Sequence, residues 1–472
     1  MNKRAKIAVI VALAVGVPLA GLGLLYWLAT RDEPPPDDSD LRVHRLDISD
    51  EENGFGYFQR TADTLYWPGY ESPGEKGKDL SQSDQKPDDS VKAKIKLAKQ
   101  VATGKAWDDS LANELLAQNR RTLDLIDQAM ASPTFQAPAI NPLIDRSPYL
   151  PPVGELLWLL QLRGRVSARR HRYEEAPGHW LQMLQLGNRL EGANGDLLTW
   201  LVGSTTKRTG LTGMRELTAR SGVPPNVLRT AAVQLASLGA DDEGLANSLR
   251  IEYLQLAQIV DELATGNLDM KNTTGNPAPK PPGHRSRRLS PLLFKPNQMK
   301  RVAVDHFRPM VDNVSKSYLD LPDFGPPRLE GGPLKDLLGG NIIGRMLYAM
   351  LTPDLSGAIT FKCQENVEVG ATRVLLAMKA FQLEKGRLPQ TLDELVPEYL
   401  DAVPLDDFDG KPLRYNREKK VVYSVGEDLK DDGGMSKEEA AEWWKREHAD
   451  EAKDRPEPDP WQMPDPGWPV EF

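Results

Sequence analysis

The stretch from Ala371 to Gly434 decides the fold of the later part of the chain; it contains KGRLP at residues 385–389, LDELVPEYL at 392–400, DDFDGKPLRY at 406–415 and VYSVGED at 422–428. Residues 358–385 lead into it with apolar side chains at helical spacing, which predicts one long helix. One face of this helix consists of Val367, Ala371, Val374, Leu375, Met378 and Phe381. Gly386 can end the helix, because glycine tolerates the left-handed conformation of a helix stop.

Turn and strand signals follow the predicted helix. Thr391 is placed to cap a short helix, with Glu394 three residues later as in a capping box. Asp409-Gly410 is a hairpin signal, and the segments 413–415 and 421–424 are rich in residues typical of strands. The sequence therefore predicts a long helix followed by a small antiparallel sheet, which is a small α+β module.

This order of elements resembles the C-terminal half of the major (G-type) pseudopilin of type II secretion systems. The shared pattern is a helix, Gly-Arg-x-Pro, Leu-x-x-Leu-x-Pro-x-Tyr-Leu, Pro-x-Asp, a turn, a strand and Tyr-Ser-x-Gly-x-Asp, within residues 371–434. Pseudopilins also carry a processed N-terminal segment with a Phe-Thr-Leu-x-Glu motif, and residues 7–29 lack it. The resemblance therefore implies a shared module fold and not a pseudopilus subunit. The whole chain resembles uncharacterised, single-anchor exported bacterial proteins that carry this module after helical hairpins.

The resemblance also implies a calcium site. In major pseudopilins the loop after Tyr-Ser-x-Gly binds calcium, and the corresponding loop here is residues 424–434. Calcium prefers carboxylate and carbonyl oxygens, so the expected ligands are Asp428, Asp431 and Asp432 with backbone carbonyls, and Ser424 is a weaker candidate. A solvated acidic turn is the alternative, which Lys430 in the same loop favours.

The composition is that of a globular protein, with 40% hydrophobic and 27% charged residues in a chain of 472. A chain of this length has room for about two or three domains. The net charge of −9 argues against a nucleic-acid partner, because phosphates attract a basic surface. The single cysteine, Cys363, excludes an intramolecular disulfide and a cysteine-based zinc cluster.

An uncharged apolar run over residues 7–29 predicts a transmembrane anchor, since about 20 such residues span a bilayer. Basic residues precede the run and acidic residues follow it, so residues 1–6 are expected in the cytoplasm. The chain is accordingly expected to be a single-pass protein of the inner (cytoplasmic) membrane with a periplasmic or extracellular body. A cleaved signal peptide is the alternative, but Trp27 spoils the small-x-small pattern of a cleavage site.

Residues 91–265 predict a domain of helical hairpins, because apolar residues recur there at helical spacing between short turns. The segment around Ala168, Tyr173 and Trp180 resembles part of a tetratricopeptide-type repeat. Pro177 interrupts this pattern, and no period of about 34 residues recurs. The domain is either a groove for a partner peptide or a bundle that positions its two ends.

The remaining segments differ in composition. Residues 30–90 combine a polar, proline-bearing spacer at 31–40 with an aromatic-rich lead-in and a surface loop. Residues 266–332 are rich in proline and basic residues, and this charge suits acidic lipid headgroups or another polyanion, with plain solvation as the alternative. Residues 333–434 hold the long helix and the pseudopilin-like module. Residues 435–472 form an acidic, Pro/Trp-rich tail that is expected to be disordered or to dock through Trp461 and Trp468.

The sequence contains no recognisable catalytic or cofactor motif. The clustered acids Asp406, Asp407 and Asp409 are interpreted as turn residues. The leading hypothesis is a non-catalytic binding or scaffolding protein of the bacterial cell envelope, with a role related to secretion and an envelope protein or polymer as partner. The alternative is an exported hydrolase that uses carboxylates of the helical body.

Overall fold

The computed structural model describes residues 17–70, 89–139, 150–266, 293–321, 356–449 and 460–472, with positions 15, 290, 291, 341, 344 and 348. Within these residues the chain is mainly helical and has one small sheet, as the sequence predicts. The predicted cytoplasmic tail, the first part of the predicted anchor, the loop at 71–88 and much of the basic region lie outside the described residues.

The described residues form thirteen α-helices. The first nine are α1 (Val17–Thr30), α2 (Gly54–Arg60), α3 (Asp89–Ala102), α4 (Asp109–Gln118), α5 (Arg120–Ala131), α6 (Val153–Arg169), α7 (Ala176–Glu191), α8 (Leu197–Glu216) and α9 (Pro225–Gln234). The others are α10 (Asp242–Thr265), α11 (Pro296–Asn313), α12 (Ser356–Lys385) and α13 (Lys437–Glu447).

Helix α1 contains the described part of the predicted anchor. The large apolar side chains of Val17, Leu19, Leu22 and Leu24 on this helix are 61%, 61%, 63% and 56% exposed. None of the helices in the described ranges is both long enough and apolar enough to cross a membrane.

Helices α7 and α8 form a closely packed pair at the centre of the body. A Cβ atom added to Gly187 would lie 2.6 Å from the carbonyl oxygen of Gly203, and one added to Gly203 would lie 2.7 Å from that of Gly187. These distances are too short for any side chain. The two glycines therefore allow the helix backbones to touch.

Trp180 on α7 fills a slot between α6 and α8. A Cβ atom on Gly164 of α6 or on Gly213 of α8 would lie 2.4 Å or 2.3 Å from the indole. The indole N–H donates to the side-chain oxygen of Gln161 at 2.9 Å. Pro177, which interrupts the repeat pattern in the sequence, lies in the first turn of α7, where the missing amide hydrogen has no helical partner to lose.

Helices α10 and α11 pack together and form a second core, separate from the main one. Its fully or nearly fully buried members include Leu41, Trp200, Leu245, Leu249, Tyr253, Phe307 and Met310. Leu41 comes from the stretch before α2, so the chain just after α1 contributes directly to this core.

Helix α12 is the long helix predicted from the sequence, and it runs between the helical body and the terminal module. It contacts α8 and α9 on one side and β2 on another. Cys363 is fully buried on it. The helix ends at Lys385, and Gly386 follows in the predicted left-handed conformation with φ of 71°.

The terminal module differs from the prediction at its first turn. Leu392–Leu395 form a 3-10 turn, and Thr391 makes no capping hydrogen bond. The Glu394 carboxylate instead accepts from the backbone N–H of Gln390 at 2.7 Å and from Arg387 at 2.6 Å. Arg387 thus binds Glu394, the glutamate that the predicted capping box would use.

The sheet of the module has three antiparallel strands, β1 (Arg414–Asn416), β2 (Val421–Tyr423) and β3 (Gly467–Pro469), in the order β1-β2-β3. The hairpin β1–β2 confirms the two predicted strands. β3 comes from the tail. Of the two predicted alternatives for the tail, residues 460–472 follow the one in which it docks through its tryptophans. Trp468 of β3 lies opposite Val422 of β2.

Candidate functional site

The loop with the predicted calcium ligands is held by contacts within the module. Asp428 accepts from the backbone N–H of Lys430 at 3.0 Å, and the Lys430 ammonium lies 3.5 Å from the same carboxylate. Asp431 accepts from the Tyr423 hydroxyl at 3.0 Å and from the backbone N–H of Gly433 at 3.2 Å. In the described part of the chain, no three His, Cys, Asp or Glu side chains converge in a way that would hold a metal ion.

Asp432, the third predicted ligand, is exposed and lies near a buried acid of the tail, Asp465. Asp465 is 1% exposed and accepts from the backbone N–H of Gly434 at 2.7 Å. Burial raises the pKa of Asp465, and the charge of Asp432 adds to this effect. The structure therefore adds a fourth carboxylate to this region, one that the sequence did not single out.

Arg414 connects the acidic turn and the acidic loop. Its guanidinium contacts Asp406 at 3.1 Å, Asp409, and Asp431 at 3.1 Å, and its side chain is only 15% exposed. A guanidinium carries five N–H donors in a rigid fork, so one arginine can bind several carboxylates at once. Arg414 therefore supplies positive charge at the place where the resemblance implies a calcium ion.

Asp406 is the fully buried member of this group. Its carboxylate accepts from the Ser424 hydroxyl at 2.8 Å and from the backbone N–H groups of Val425 at 2.9 Å and Phe408 at 3.2 Å. Burial raises the pKa of Asp406, and these hydrogen bonds act in the opposite direction. The Ser424 hydroxyl thus stabilises, through its hydrogen bond to Asp406, the turn that begins at Asp406.

A second charged site lies inside the helical body, where Lys207 of α8 is fully buried between two carboxylates. Its ammonium donates to Glu191 of α7 at 2.7 Å and contacts Glu365 of α12. It also donates to the side chain of Asn188 at 2.7 Å and to the carbonyl of Gly239 at 2.8 Å. This network ties α7, α8 and α12 together through charge.

In this network the pKa of Glu191 favours the neutral form of its carboxyl group. Burial and the nearby Glu365 carboxylate raise the pKa of Glu191 to about 9, and Lys207 acts in the opposite direction. Near neutral pH this pKa favours a proton on Glu191. Both acids are 0% exposed, so this proton is held away from solvent.

Glu368 lies one turn along α12 and connects three parts of the molecule. Its carboxylate accepts from Arg208 of α8 at 2.7 Å and from the indole N–H of Trp461 in the tail at 2.8 Å. Arg215 of α8 lies 3.6 Å away and also donates to Thr372 at 2.9 Å. The tail, the central helix and the body therefore meet at one carboxylate.

A third charged site begins two residues after α1. The Asp32 carboxylate accepts from the backbone N–H groups of Asn297 at 2.9 Å and Gln298 at 3.2 Å, in the first turn of α11. A carboxylate in this position satisfies free N–H groups and suits the positive end of the helix dipole. Glu33 continues the contact, with its carboxylate 2.5 Å from Arg301 and its carbonyl 2.8 Å from Asn297.

The same segment follows α11 further along. Asp40 pairs with Arg308 at 2.6 Å, and the Arg308 guanidinium also donates to the carbonyl of Asp37 at 2.8 Å. Asp38 accepts from the Tyr253 hydroxyl of α10 at 2.8 Å. A shallow polar cavity of ≈ 440 Å³ lies between residues 36–40 and α11. We call residues 32–41, bound to α10 and α11, the N-terminal clamp.

The N-terminal clamp occupies the segment that the sequence predicts as a polar spacer. The spacer pattern does not indicate the partners of its acids, because those partners in α11 lie far along the chain. A signal in the sequence is the match between the acids at 32–40 and the basic residues Arg301 and Arg308. Comparison with protein-family models, curated proteins and solved structures finds no match for this chain.

Proposed function

We propose that this chain is a single-pass membrane protein of the bacterial cell envelope, and that its body acts as a rigid, non-catalytic scaffold that binds an envelope protein or polymer. Helix α1 supports the anchor, because an apolar helix with exposed side chains is stable where lipid covers it. The uncharged residues before it extend the apolar run to Ile7. In this proposal the N-terminus lies in the cytoplasm and the body in the periplasm or outside the cell.

The N-terminal clamp is the observation that carries this proposal. Only Arg31 separates the end of α1 at Thr30 from the hydrogen bonds of Asp32 to α11, and one residue spans at most about 3.6 Å. A body joined so closely to its anchor is held against the membrane surface. This arrangement suits a scaffold that presents a binding surface at a fixed height above the bilayer.

The finer architecture is part of the same proposal. The module of α12 and the hairpin β1–β2 takes a pseudopilin-like fold, supported by the helix, turn and hairpin order of residues 356–423. The pair α6–α7 takes a tetratricopeptide-like arrangement, supported by Trp180 between neighbouring helices. A module of this kind on a membrane anchor fits a role related to secretion.

Membrane fractionation tests the anchor. We expect the full chain to stay in the membrane pellet after alkaline carbonate extraction. Leu22→Asp combined with Leu24→Asp, which places charge on exposed positions of α1, should release it. The matched control is Leu46→Asp, at a body position that is 54% exposed, and it should stay in the pellet. A wild-type chain in the soluble fraction would exclude the proposal.

An exported hydrolase is the second candidate, and the Glu191 pair is the observation that favours it. An acid with a raised pKa beside a second acid is typical of acid–base catalysis. Their complete burial argues for a structural role instead. The purified chain and its Glu365→Gln variant should be compared on peptide and glycan substrates. Turnover by the wild type that Glu365→Gln abolishes would replace the scaffold proposal.

Calcium binding at residues 428–432 stays a prediction. The ligands would be Asp428, Asp431 and Asp432, and Asp431 would have to exchange Arg414 for the ion. If the site exists, millimolar calcium should raise the melting temperature of the full chain in detergent and EDTA should reverse this. The matched control is Asp431→Asn, which should remove the calcium response. An unchanged melting temperature in calcium and in EDTA would exclude the site.

A further inference from the structure

Residues 460–472, here called the tail segment, lie in a groove on the terminal module. Strand β3 within it adds to the edge of β2. Outside the strand, the backbone N–H of Ser424 donates to the carbonyl of Pro466 at 2.9 Å, and that of Val470 donates to Lys420 at 2.8 Å. Addition of a strand to a sheet edge is a common way for proteins to recognise peptides.

Two tryptophans anchor the tail segment. Trp461 contacts Phe408 with ring centroids 5.8 Å apart, and its indole N–H donates to Glu368 at 2.8 Å. Trp468 is 4% exposed and lies 5.7 Å from Trp461. Tryptophans are enriched among the hot spots of protein interfaces, so these two side chains are the expected anchors of the tail segment.

Two glycines of the groove, Gly426 and Gly434, lie where the backbone of the tail segment approaches. Gly426 has φ of 63°, and a Cβ atom there would lie 3.0 Å from a ring carbon of Pro466. The backbone N–H of Gly434 donates to the buried carboxylate of Asp465 at 2.7 Å. Glycines thus line the groove where the tail segment passes closest to the module.

The end of the tail segment is held by α12. Gln382 donates to the backbone oxygen of Phe472 at 3.2 Å, and the Lys379 ammonium lies 5.1 Å from the Phe472 ring. Glu471 pairs with Lys437 at 2.6 Å. The partners of the tail segment all lie between Glu368 and Lys437, on α12, the turns and strands that follow it and the start of α13, so one continuous part of the chain supplies the groove.

The sequence between α13 and the tail segment differs from both. Residues 450–459 read DEAKDRPEPD, and apart from prolines their only apolar side chain is Ala452. Such a sequence buries little apolar surface. The tail segment therefore owes its position to its own contacts in the groove. Its prolines at 460, 464, 466 and 469 restrict its backbone before binding, which lowers the entropy lost on binding.

We propose that the terminal module is a peptide-binding module, that the tail segment is its ligand in the same chain, and that the tail segment of a second copy of this chain can replace it. The ten residues 450–459 can extend over at most about 36 Å, and this length limits how far apart the grooves of two exchanging copies can lie. The proposal goes beyond anchoring and scaffolding, because it names the surface through which copies associate.

Peptide exchange tests this proposal in the full chain purified in detergent. A specific protease site is placed within residues 450–459, so that the chain folds intact and is cut afterwards. A fluorescent peptide of residues 460–472 is then added, and its binding is followed by anisotropy. The control peptide carries Trp461→Ala and Trp468→Ala, and the second control is the uncut chain.

We expect the labelled peptide to bind the cut chain and the double-alanine peptide to bind at least about tenfold more weakly, since the two tryptophans are the anchors. The uncut chain should also bind the labelled peptide at least about tenfold more weakly, because a tethered ligand competes at millimolar effective concentration. Failure of the peptide to enter the cut chain would overturn the proposal. Equal binding of both peptides, or equal binding to cut and uncut chains, would overturn it as well.

Discussion

Lys207 contacts the carboxyl groups of two buried acids, Glu191 and Glu365, at the centre of the body. Replacement of Lys207 by Met keeps the side chain long and apolar but leaves Glu191 and Glu365 without their cation. Removal of one partner of a buried ion pair costs about 3–5 kcal/mol. We expect Lys207→Met to lower the free energy of unfolding by about this amount, measured by equilibrium urea unfolding followed by circular dichroism.

Lys94 provides the matched control for Lys207. It pairs with Glu114 at 2.9 Å, but the two side chains are 43% and 37% exposed. Exposed pairs contribute about 0–1 kcal/mol, so Lys94→Met should change the free energy of unfolding little. Equal losses in the two variants would show that the buried network does not stabilise the fold.

Glu191 should make stability depend on pH. Its pKa rises from an ordinary value of 4.5 to about 9 in the folded chain, so the folded state keeps a proton that the unfolded state loses. The contribution of this proton to the free energy of unfolding is complete below about pH 4.5 and is lost as the pH rises toward about 9. Over that range the free energy of unfolding falls by at most about 1.4 kcal/mol per pH unit.

Glu191→Gln removes this titration and keeps the shape of the side chain. We expect the free energy of unfolding of the wild type to fall more steeply than that of Glu191→Gln between about pH 5.5 and about pH 8.5. Urea unfolding at several pH values measures the difference between the two chains. Parallel profiles would contradict a proton on Glu191 in the folded state.

At the scale of helices, the contact of α7 with α8 depends on glycine. Gly187→Ala would place a Cβ atom 2.6 Å from the Gly203 carbonyl and 2.4 Å from Cγ of Lys207. Overpacking of this kind costs about 1–3 kcal/mol, so we expect Gly187→Ala to destabilise the chain, measured by thermal and urea unfolding.

Gly178 on the same helix is the control for Gly187, because a Cβ atom there meets nothing within 4 Å. Alanine is the better helix former by up to about 1 kcal/mol, so Gly178→Ala should be neutral or stabilising. If both substitutions stabilised the chain, α7 and α8 would not be in backbone contact.

Helix positions are the part of this fold that the sequence predicts well. The apolar spacing over residues 91–265 predicts successive helices, and the structure has them there, for example at Leu197–Glu216, Pro225–Gln234 and Asp242–Thr265. The hairpin β1–β2 was predicted because its turn signal and strand residues are adjacent. Periodicity and turns are local properties, so one sequence is enough to read them.

The third strand and the charged sites depend on contacts between distant residues. β3 has the sequence Gly-Trp-Pro, in which Gly and Pro are unfavourable in strands, and it pairs with β2 where the two tryptophans of the tail dock. Glu365 and Lys207 lie on helices that are far apart in the chain, and neither has a local pattern that signals an ion pair. Asp32 likewise caps a helix that begins at Pro296, which no local rule can indicate.

At the scale of the whole molecule, α12 connects the helical body to the terminal module. Its residue Glu365 binds the body through Lys207, and Glu368 binds both Arg208 of the body and Trp461 of the tail. The N-terminal clamp joins the body to α1 at the other end. Buried and half-buried contacts therefore connect the end of α1, where the chain is proposed to leave the membrane, with the groove that holds the tail segment.

The depth of α11 at a bilayer tests the central claim, a membrane anchor that holds the body at the membrane surface. A fluorophore is attached to Leu293→Cys, since Leu293 is 43% exposed just before α11 and Cys363 is buried. The full chain is placed in nanodiscs whose lipids carry nitroxide headgroups. We predict strong quenching, which Asp32→Ala combined with Glu33→Ala should reduce by loosening the clamp. No quenching in the wild type, or equal quenching after deletion of residues 1–30, would contradict the account.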